Sequence, residues 1–101
     1  MKIVIAPDQR LRIQTKQVKK INSALVSTLK EMIKLTKTFK DPEGVGLAST
    51  QVGLNEEFVV AKNEKTFICV INPKILSSSK KTKKYFEGCL SVPKMWGEVK
   101  R

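Results

Sequence analysis

Residues 58–71 read FVVAKNEKTFICVI, two apolar runs separated by four polar residues. The runs, residues 58–61 and 66–71, are rich in β-branched and aromatic side chains, which favour strands. The polar residues 62–65 between them are typical of a tight turn. The stretch therefore predicts a β-hairpin that belongs to a half-buried sheet.

On the N-terminal side of this hairpin, the apolar residues of the segment 18–39 recur mostly at intervals of three and four, the period of one helix face. We predict a single amphipathic helix, capped by Asn22 or Ser23. It ends at Asp41-Pro42, because proline disfavours helix at the residue before it. The apolar face consists of Val18, Ile21, Leu25, Leu29, Met32, Ile33 and Leu35. The exposed side carries Lys30, Lys34, Lys37 and Lys40.

On the C-terminal side, Asn72-Pro73 breaks the strand pattern. Residues 74–76 are predicted to begin a short strand, and residues 77–84 to form a polar turn that leads to Tyr85-Phe86. Residues 96–101 read WGEVKR and resemble the entrance to a further strand. We expect the sheet to continue beyond them, as it would in a truncated domain.

Composition indicates one globular domain over residues 1–101, with 41% hydrophobic and 29% charged residues. The net charge of +11 attracts polyanions, but the lysines are scattered and only residues 80–84 are dense. A solvated surface is therefore favoured over sequence-specific nucleic-acid recognition. No stretch approaches the about 20 apolar residues of a membrane span, and no signal peptide is evident. We expect a cytoplasmic protein without a membrane partner.

Residues 87–91 read EGCLS and place the thiol of Cys89 after a glycine that allows close approach of a ligand. Such a cysteine can act as a nucleophile or a metal ligand, and it can equally be a small buried hydrophobe. For Cys69, between Ile68 and Val70 in a predicted strand, we expect the buried structural role.

Residues 44–51 read GVGLASTQ, a small-residue segment that is expected to be loop and extended backbone. Its last residue, Gln51, carries an amide that donates hydrogen bonds without charge, which suits a developing oxyanion. The segment differs from phosphate-binding loops because no lysine follows the second glycine and no strand precedes it.

Together these two segments resemble the motifs GxGxAAxQ and EGCLS of the peptide deformylase family, with Ser49 in place of the second alanine as the one departure. The opening is also similar to the family, where a short strand is followed by Pro-Asp and Leu-Arg pairs, here Pro7-Asp8 and Leu11-Arg12. The resemblance implies an α+β fold, with one long N-terminal helix packed on antiparallel β-strands and incomplete at the C-terminus.

The function implied by the resemblance is metal-dependent hydrolysis of the formyl group from N-formylmethionine of nascent proteins, near the ribosome. The implied metal is Fe²⁺, with Zn²⁺ or Ni²⁺ as replacements, and Cys89 would be its thiolate ligand. Gln51 and the backbone N–H of Leu90 would hold the oxyanion. The residues implied to line the substrate cleft are Val45, Gly46, Tyr85 and Glu87. Glu87 would also pair with Arg101 in a buried ion pair.

The chain departs from the family in having no histidine, so both histidine ligands and the catalytic glutamate of the family's HExxH motif are missing. Three explanations stay open: truncation, which we favour, a second polypeptide, or a degenerate member that only binds. The alternative function is a non-catalytic basic module that binds RNA, ribosome or nascent chain through its lysines. An unrelated α+β domain would require both motif matches to be accidental.

Overall fold

The computed structural model describes residues 1–40 and 43–101 and shows one α-helix and two antiparallel sheets, the predicted α+β class. In chain order the elements are a 3-10 helix Gln9–Arg12, α1 Ser23–Lys37, β1 Gly46–Ala48, a 3-10 helix Ser49–Val52, β2 Phe58–Asn63, β3 Thr66–Ile71, β4 Lys84–Cys89 and β5 Val92–Lys100. Within the described ranges, no helix is both long and apolar enough to cross a membrane.

Helix α1 begins where Asn22 caps it, because the Asn22 Oδ1 accepts a hydrogen bond from the Leu25 N–H at 2.9 Å. The helix is shorter than the predicted 18–39. Val18 lies before the helix but is nevertheless buried. Ile21 is 70% exposed, so the assignment of Ile21 to the apolar face is wrong. The helix ends at Lys37, ahead of the predicted stop at Asp41-Pro42, which lies outside the described residues.

The predicted hairpin is confirmed as β2 and β3, which are antiparallel and joined through Glu64 and Lys65. Strand β1 pairs with the other edge of β2, which gives the order β1-β2-β3. Leu47 of β1 faces Val60 of β2, and both are at most 2% exposed. The buried core consists of Val18, Leu25, Leu29, Met32, Leu47, Phe58, Val60 and Leu90. It therefore lies between α1 and this sheet.

The second sheet is the hairpin of β4 and β5, which turns at Leu90-Ser91. Its register shifts between Gly88 and Cys89: Cys89 faces Val92, but Gly88 faces Trp96. The extra residues of β5 form a bulge there, in which Lys94 adopts a φ of 64°. Because Leu90 belongs to the main core, the tip of this hairpin is anchored against the first sheet and α1.

Two expected strands are wrong: the predicted strand at residues 74–76, and the short strand that the family resemblance implies ahead of Pro7-Asp8. Residues 74–76 are not in a strand, and Ile75 and Leu76 are 86% and 87% exposed, since nothing in the described part of the chain pairs with them. Residues 1–5 are also irregular, although the Val4 N–H donates to the Gln51 carbonyl at 2.7 Å. The N-terminal segment is thus tied to the 3-10 helix Ser49–Val52 rather than to a sheet.

Cys69 is exposed, contrary to the buried role expected for it. It lies in β3, which is an edge strand of the first sheet. Helix α1 packs on β1 and β2, and so the side chain of Cys69 receives little cover from it. The alternation of apolar residues alone does not reveal which strand a helix will cover.

Candidate active site

The small-residue segment begins with Gly44, and any other residue there would force the neighbouring backbone of α1 to move. A Cβ atom on Gly44 would lie 2.0 Å from the carbonyl oxygen of Thr36 in α1. The Gly44 N–H also donates to the Phe39 carbonyl at 3.2 Å. This close contact fixes where the chain leaves α1 and enters β1.

Ser49, the one departure from the family motif, is 2% exposed, and its hydroxyl donates to the backbone carbonyl of Glu56. The hydroxyl is therefore satisfied inside the fold, as a buried polar group must be. The 3-10 helix Ser49–Val52, which begins at this residue, was not predicted, and Gly53 ends it at a φ of 81°.

The side chain of Gln51 is oriented by a backbone group. Its Oε1 accepts a hydrogen bond from the Ala48 N–H at 2.9 Å, so the amide nitrogen Nε2 must point the other way. Nε2 lies 3.5 Å from the Cys89 Sγ and 3.2 Å from the Ser91 Oγ. The two motifs are thereby brought into contact with a hydrogen-bond donor aimed at the thiol.

The turn that carries Cys89 is held from both sides. Cys89 itself is exposed, but Leu90 and Ser91 are 7% and 4% exposed. The Ala6 N–H donates to the Ser91 carbonyl at 2.8 Å. Burial of these two residues, together with this hydrogen bond, fixes the backbone that follows Cys89.

Glu87 and Arg101 form a two-point ion pair across β4 and the end of the chain, at 2.6 Å (Nε to Oε2) and 2.8 Å (Nη2 to Oε1). Hydrogen bonding to the Arg101 guanidinium holds the pKa of Glu87 below its ordinary value. The pair was expected to be buried, but it is not: the side chain of Arg101 is 64% exposed and that of Glu87 is 32% exposed.

The other residues predicted to line the cleft fall into two groups. Tyr85 and Glu87 lie on one face of the β4–β5 hairpin, where they line a cavity of about 520 Å³ with Ser79, Lys81, Lys83 and Arg101. Val45 and Gly46 lie instead at β1, and no described residue of that strand lines this cavity. The Val45 carbonyl accepts from the Lys62 N–H at 2.7 Å.

Sequence reasoning missed one residue of the site, Ser91, whose hydroxyl contacts the Gln51 amide. It is the last residue of the EGCLS segment, so its place in the motif was the available signal. The side-chain oxygen Oε1 of Gln51 accepts from the backbone N–H of Ala48, and a backbone partner of this kind leaves no signal in the sequence.

The residues present do not form a complete metal site. Among the described residues, no three His, Cys, Asp or Glu side chains are grouped so that they could hold a metal ion. Cys89 offers one soft thiolate donor, whereas catalytic sites of the zinc type use three protein ligands and an open position. Any metal bound at Cys89 would therefore need ligands from outside the described residues.

Comparison with known proteins gives a consistent result. The profile of the family described as polypeptide deformylase matches residues 1–101. Peptide deformylase 1 of Vibrio vulnificus (strain YJ016) is 40% identical over 104 residues, which cover 100% of this chain and 60% of that protein. The peptide deformylase of Thermotoga neapolitana (strain ATCC 49049 / DSM 4359 / NBRC 107923 / NS-E) is 40% identical over 94 residues, 93% of this chain and 56% of that protein.

Solved structures agree with the fold. The crystal structure of peptide deformylase from Thermotoga maritima superposes with a TM-score of 0.92 at 36% identity, covering 99% of this chain and 66% of that one. A probable peptide deformylase from Synechococcus phage S-SSM7 superposes with a TM-score of 0.86 at 31% identity, covering 100% and 70%. The chain spans 53% to 63% of the length of the curated relatives it matches. It belongs to the polypeptide deformylase family, whose members are metal-dependent hydrolases.

Proposed function

We propose that this chain forms the Gln51 and Cys89 part of the active site of a peptide deformylase, which hydrolyses the formyl group from N-formylmethionine at the start of nascent proteins. One observation carries the proposal: the Gln51 amide nitrogen lies 3.5 Å from the Cys89 sulfur, held there by the Ala48 N–H. A donor fixed before substrate arrives is what stabilisation of a developing charge requires.

Gln51 and Leu90 hold the oxyanion. Hydrolysis of a formamide places negative charge on the former carbonyl oxygen, and neutral N–H donors stabilise that charge most when water is excluded and their directions are fixed. The Gln51 Nε2 lies 3.5 Å from the Cys89 sulfur, and the Leu90 N–H follows Cys89 in the chain, on backbone fixed by burial of Leu90. Ser91 assists by accepting a hydrogen bond from Nε2 at 3.2 Å, which limits rotation of the amide.

Cys89 is the thiolate ligand of the divalent metal. With ligands from elsewhere, Cys89 would hold the metal, which would supply a bound water of lowered pKa for hydrolysis of the formyl group. We assign Fe²⁺ as the native metal, with Zn²⁺ or Ni²⁺ as replacements. The remaining ligands and the glutamate that moves the proton come from residues beyond these 101 or from a second chain.

The substrate binds along β1 and in the cavity beside β4. Strand β1 is an edge of the first sheet, and an extended peptide can add to such an edge through backbone hydrogen bonds at Gly46, beside the exposed side chain of Val45. Tyr85 and Glu87 line the neighbouring cavity and contact the methionine side chain and peptide backbone. The Glu87–Arg101 pair braces the strand that carries Cys89. The partners are thus nascent N-formylmethionyl peptides, met in the cytoplasm near the ribosome.

The test joins this chain to the C-terminal segment of a full-length member of the family, chosen because that segment carries the HExxH motif. Metal content is measured after anaerobic purification, and formate release from a formyl-methionyl peptide is measured alongside. We expect metal and turnover in the joined protein. Cys89→Ala should lose the metal, and Gln51→Ala should keep the metal but lose turnover by about 100-fold.

The matched control is Cys69→Ala, which removes the chain's other thiol from an exposed site on β3. It should leave both metal and turnover unchanged. A folded, metal-loaded joined protein that releases no formate would refute the proposal, and so would metal binding that survives Cys89→Ala but not Cys69→Ala.

A further inference from the structure

The β4–β5 hairpin carries two aromatic rings that take no part in the core. Phe86 of β4 and Trp96 of β5 lie parallel, with ring centroids 6.0 Å apart and planes inclined by 5°. They are 70% and 49% exposed. Large apolar side chains placed together on a surface commonly mark a binding site.

Both rings lie on the face opposite to the cleft residues. Side chains alternate along a strand, so Lys84, Phe86 and Gly88 share one face while Tyr85 and Glu87 point to the other. The register places Phe86 opposite Glu98, and Gly88 opposite Trp96. We call the set Lys84, Phe86, Trp96, Glu98 and Lys100 the aromatic face. Because Gly88 has no side chain, one side of the Trp96 ring is left uncovered.

The aromatic face is bordered by lysines. Lys84 and Lys100 are directly opposite each other in the ladder, an arrangement of like charges that is unfavourable without a counter-ion. Glu98 offsets part of this charge through an exposed contact with Lys84 at 3.5 Å. The chain as a whole carries a net charge of +11. This border is suited to a polyanion.

We propose that the aromatic face binds single-stranded RNA without sequence preference. Bases stack on the exposed sides of Phe86 and Trp96, and backbone phosphates contact Lys84 and Lys100. Flat rings beside cations are the combination by which proteins hold single strands, because every base offers a π-face and every nucleotide a negative charge. A protein partner with an apolar patch would leave the facing lysines uncompensated. The proposal does not depend on deformylase activity, since Gln51, Cys89 and the Tyr85 cavity are not part of this face.

Trp96 is the single tryptophan of the chain, so its fluorescence reports directly on the aromatic face. The full chain is titrated with an oligouridylate of about 12 nucleotides. Titrations are made at about 50 mM and about 200 mM salt, because release of counter-ions makes the affinity fall as salt rises. We expect saturable quenching of Trp96 by stacking. Heparin, a polyanion without bases, should bind while quenching Trp96 far less.

Variants separate stacking from charge. Phe86→Ala should weaken oligouridylate binding by roughly tenfold, and Phe86→Tyr, which keeps a ring, should restore it. The matched aromatic control is Tyr85→Ala, on the same strand but the opposite face, which should bind as the unchanged chain does. Equal losses for Phe86→Ala and Tyr85→Ala would overturn the proposal.

The charge test compares two double variants with the same change in net charge. Lys84→Gln with Lys100→Gln should weaken binding and reduce the salt slope by about 1.4, as expected for two phosphate contacts on a single strand. Lys30→Gln with Lys34→Gln on α1 should have little effect. The proposal is overturned if both double variants lose affinity equally. It is also overturned if heparin quenches Trp96 as strongly as the oligonucleotide, or if Phe86→Ala changes only the sedimentation behaviour and not the binding.

Discussion

The amide nitrogen of Gln51 lies 3.5 Å from the sulfur of Cys89, although the two residues are 38 positions apart in the chain. The contact joins the segment that follows α1 to the tip of the second hairpin. Its direction is fixed because the amide oxygen is already bonded to the Ala48 N–H. The geometry therefore presents a donor, and not an acceptor, to the thiol.

Replacing that donor should change the reactivity of Cys89. In Gln51→Glu a carboxylate faces the sulfur, and the like charge disfavours the thiolate, which is the reactive form. In a Cys69→Ser background, we expect iodoacetamide to alkylate Cys89 more slowly at pH 8 than in the same background with Gln51 intact. Gln17→Glu adds the same charge in the segment before α1 and serves as the control. Equal or faster alkylation of the Gln51→Glu chain would contradict the assigned orientation of the amide.

Gly44→Ala should strongly destabilise the fold. The new Cβ would lie 2.0 Å from the Thr36 carbonyl oxygen, and backbone must move to admit it. We expect the free energy of unfolding in urea to fall by at least about 2 kcal/mol. Gly97→Ala is the matched control, since a Cβ there meets nothing within 4 Å. A Gly44→Ala chain as stable as the Gly97→Ala chain would show that the contact between this segment and α1 is not close.

Asn72→Ala should loosen the segment before α1. The Asn72 side chain accepts from the Val18 N–H at 2.8 Å and donates to the Val18 carbonyl at 2.9 Å. Loss of both bonds should lower the free energy of unfolding by about 1–2 kcal/mol. Asn72 also has a φ of 50°, so Asn72→Gly, which tolerates that backbone, isolates the hydrogen bonds from the strain. If Asn72→Gly proves as stable as the original chain, the two bonds contribute nothing.

Stability should depend on Asp8 at acid pH. Hydrogen bonds from the Arg10 side chain and backbone hold the pKa of Asp8 below its ordinary value. A lowered pKa means that the stabilising contribution is present above the pKa of the unfolded chain, about 3.9, and is lost as the pH falls through the lower folded value. We expect the stability difference between the original chain and Asp8→Asn to be present at pH 6 and to shrink below about pH 4. A pH-independent difference would exclude this origin.

The helix and the first hairpin could be predicted because each buries one face with a regular period. The errors occurred where a tertiary partner decides the outcome. Ile21 fits the helix period, yet the Asn22 cap begins the helix after it. Residues 74–76 have the composition of a strand but have no pairing partner among the described residues. Composition indicates which secondary structure a segment prefers, but it does not show whether a pairing strand is available.

Only part of the site could be predicted from the sequence. Gln51 and Cys89 stood out because their motifs resemble those of a known family, and the structure places them in contact. The role of Ser91 and the exposure of the Glu87–Arg101 pair depend on how the hairpin tip meets the core. Both depend on packing between segments far apart in the chain, and for Ser91 the only local signal was its place in the EGCLS motif.

Anchoring of the second hairpin at its tip has a mechanical consequence. Leu90 and Ser91 at the turn are buried, whereas nearly all of β4 and β5 is exposed. The hairpin is therefore attached to the rest of the fold through Leu90 and Ser91, the residues next to Cys89. We therefore expect larger displacements at the far end, at Lys84 and Lys100, than at the thiol. Among the amides of β4 that bond to β5, hydrogen exchange should be slower at Glu87 than at Tyr85.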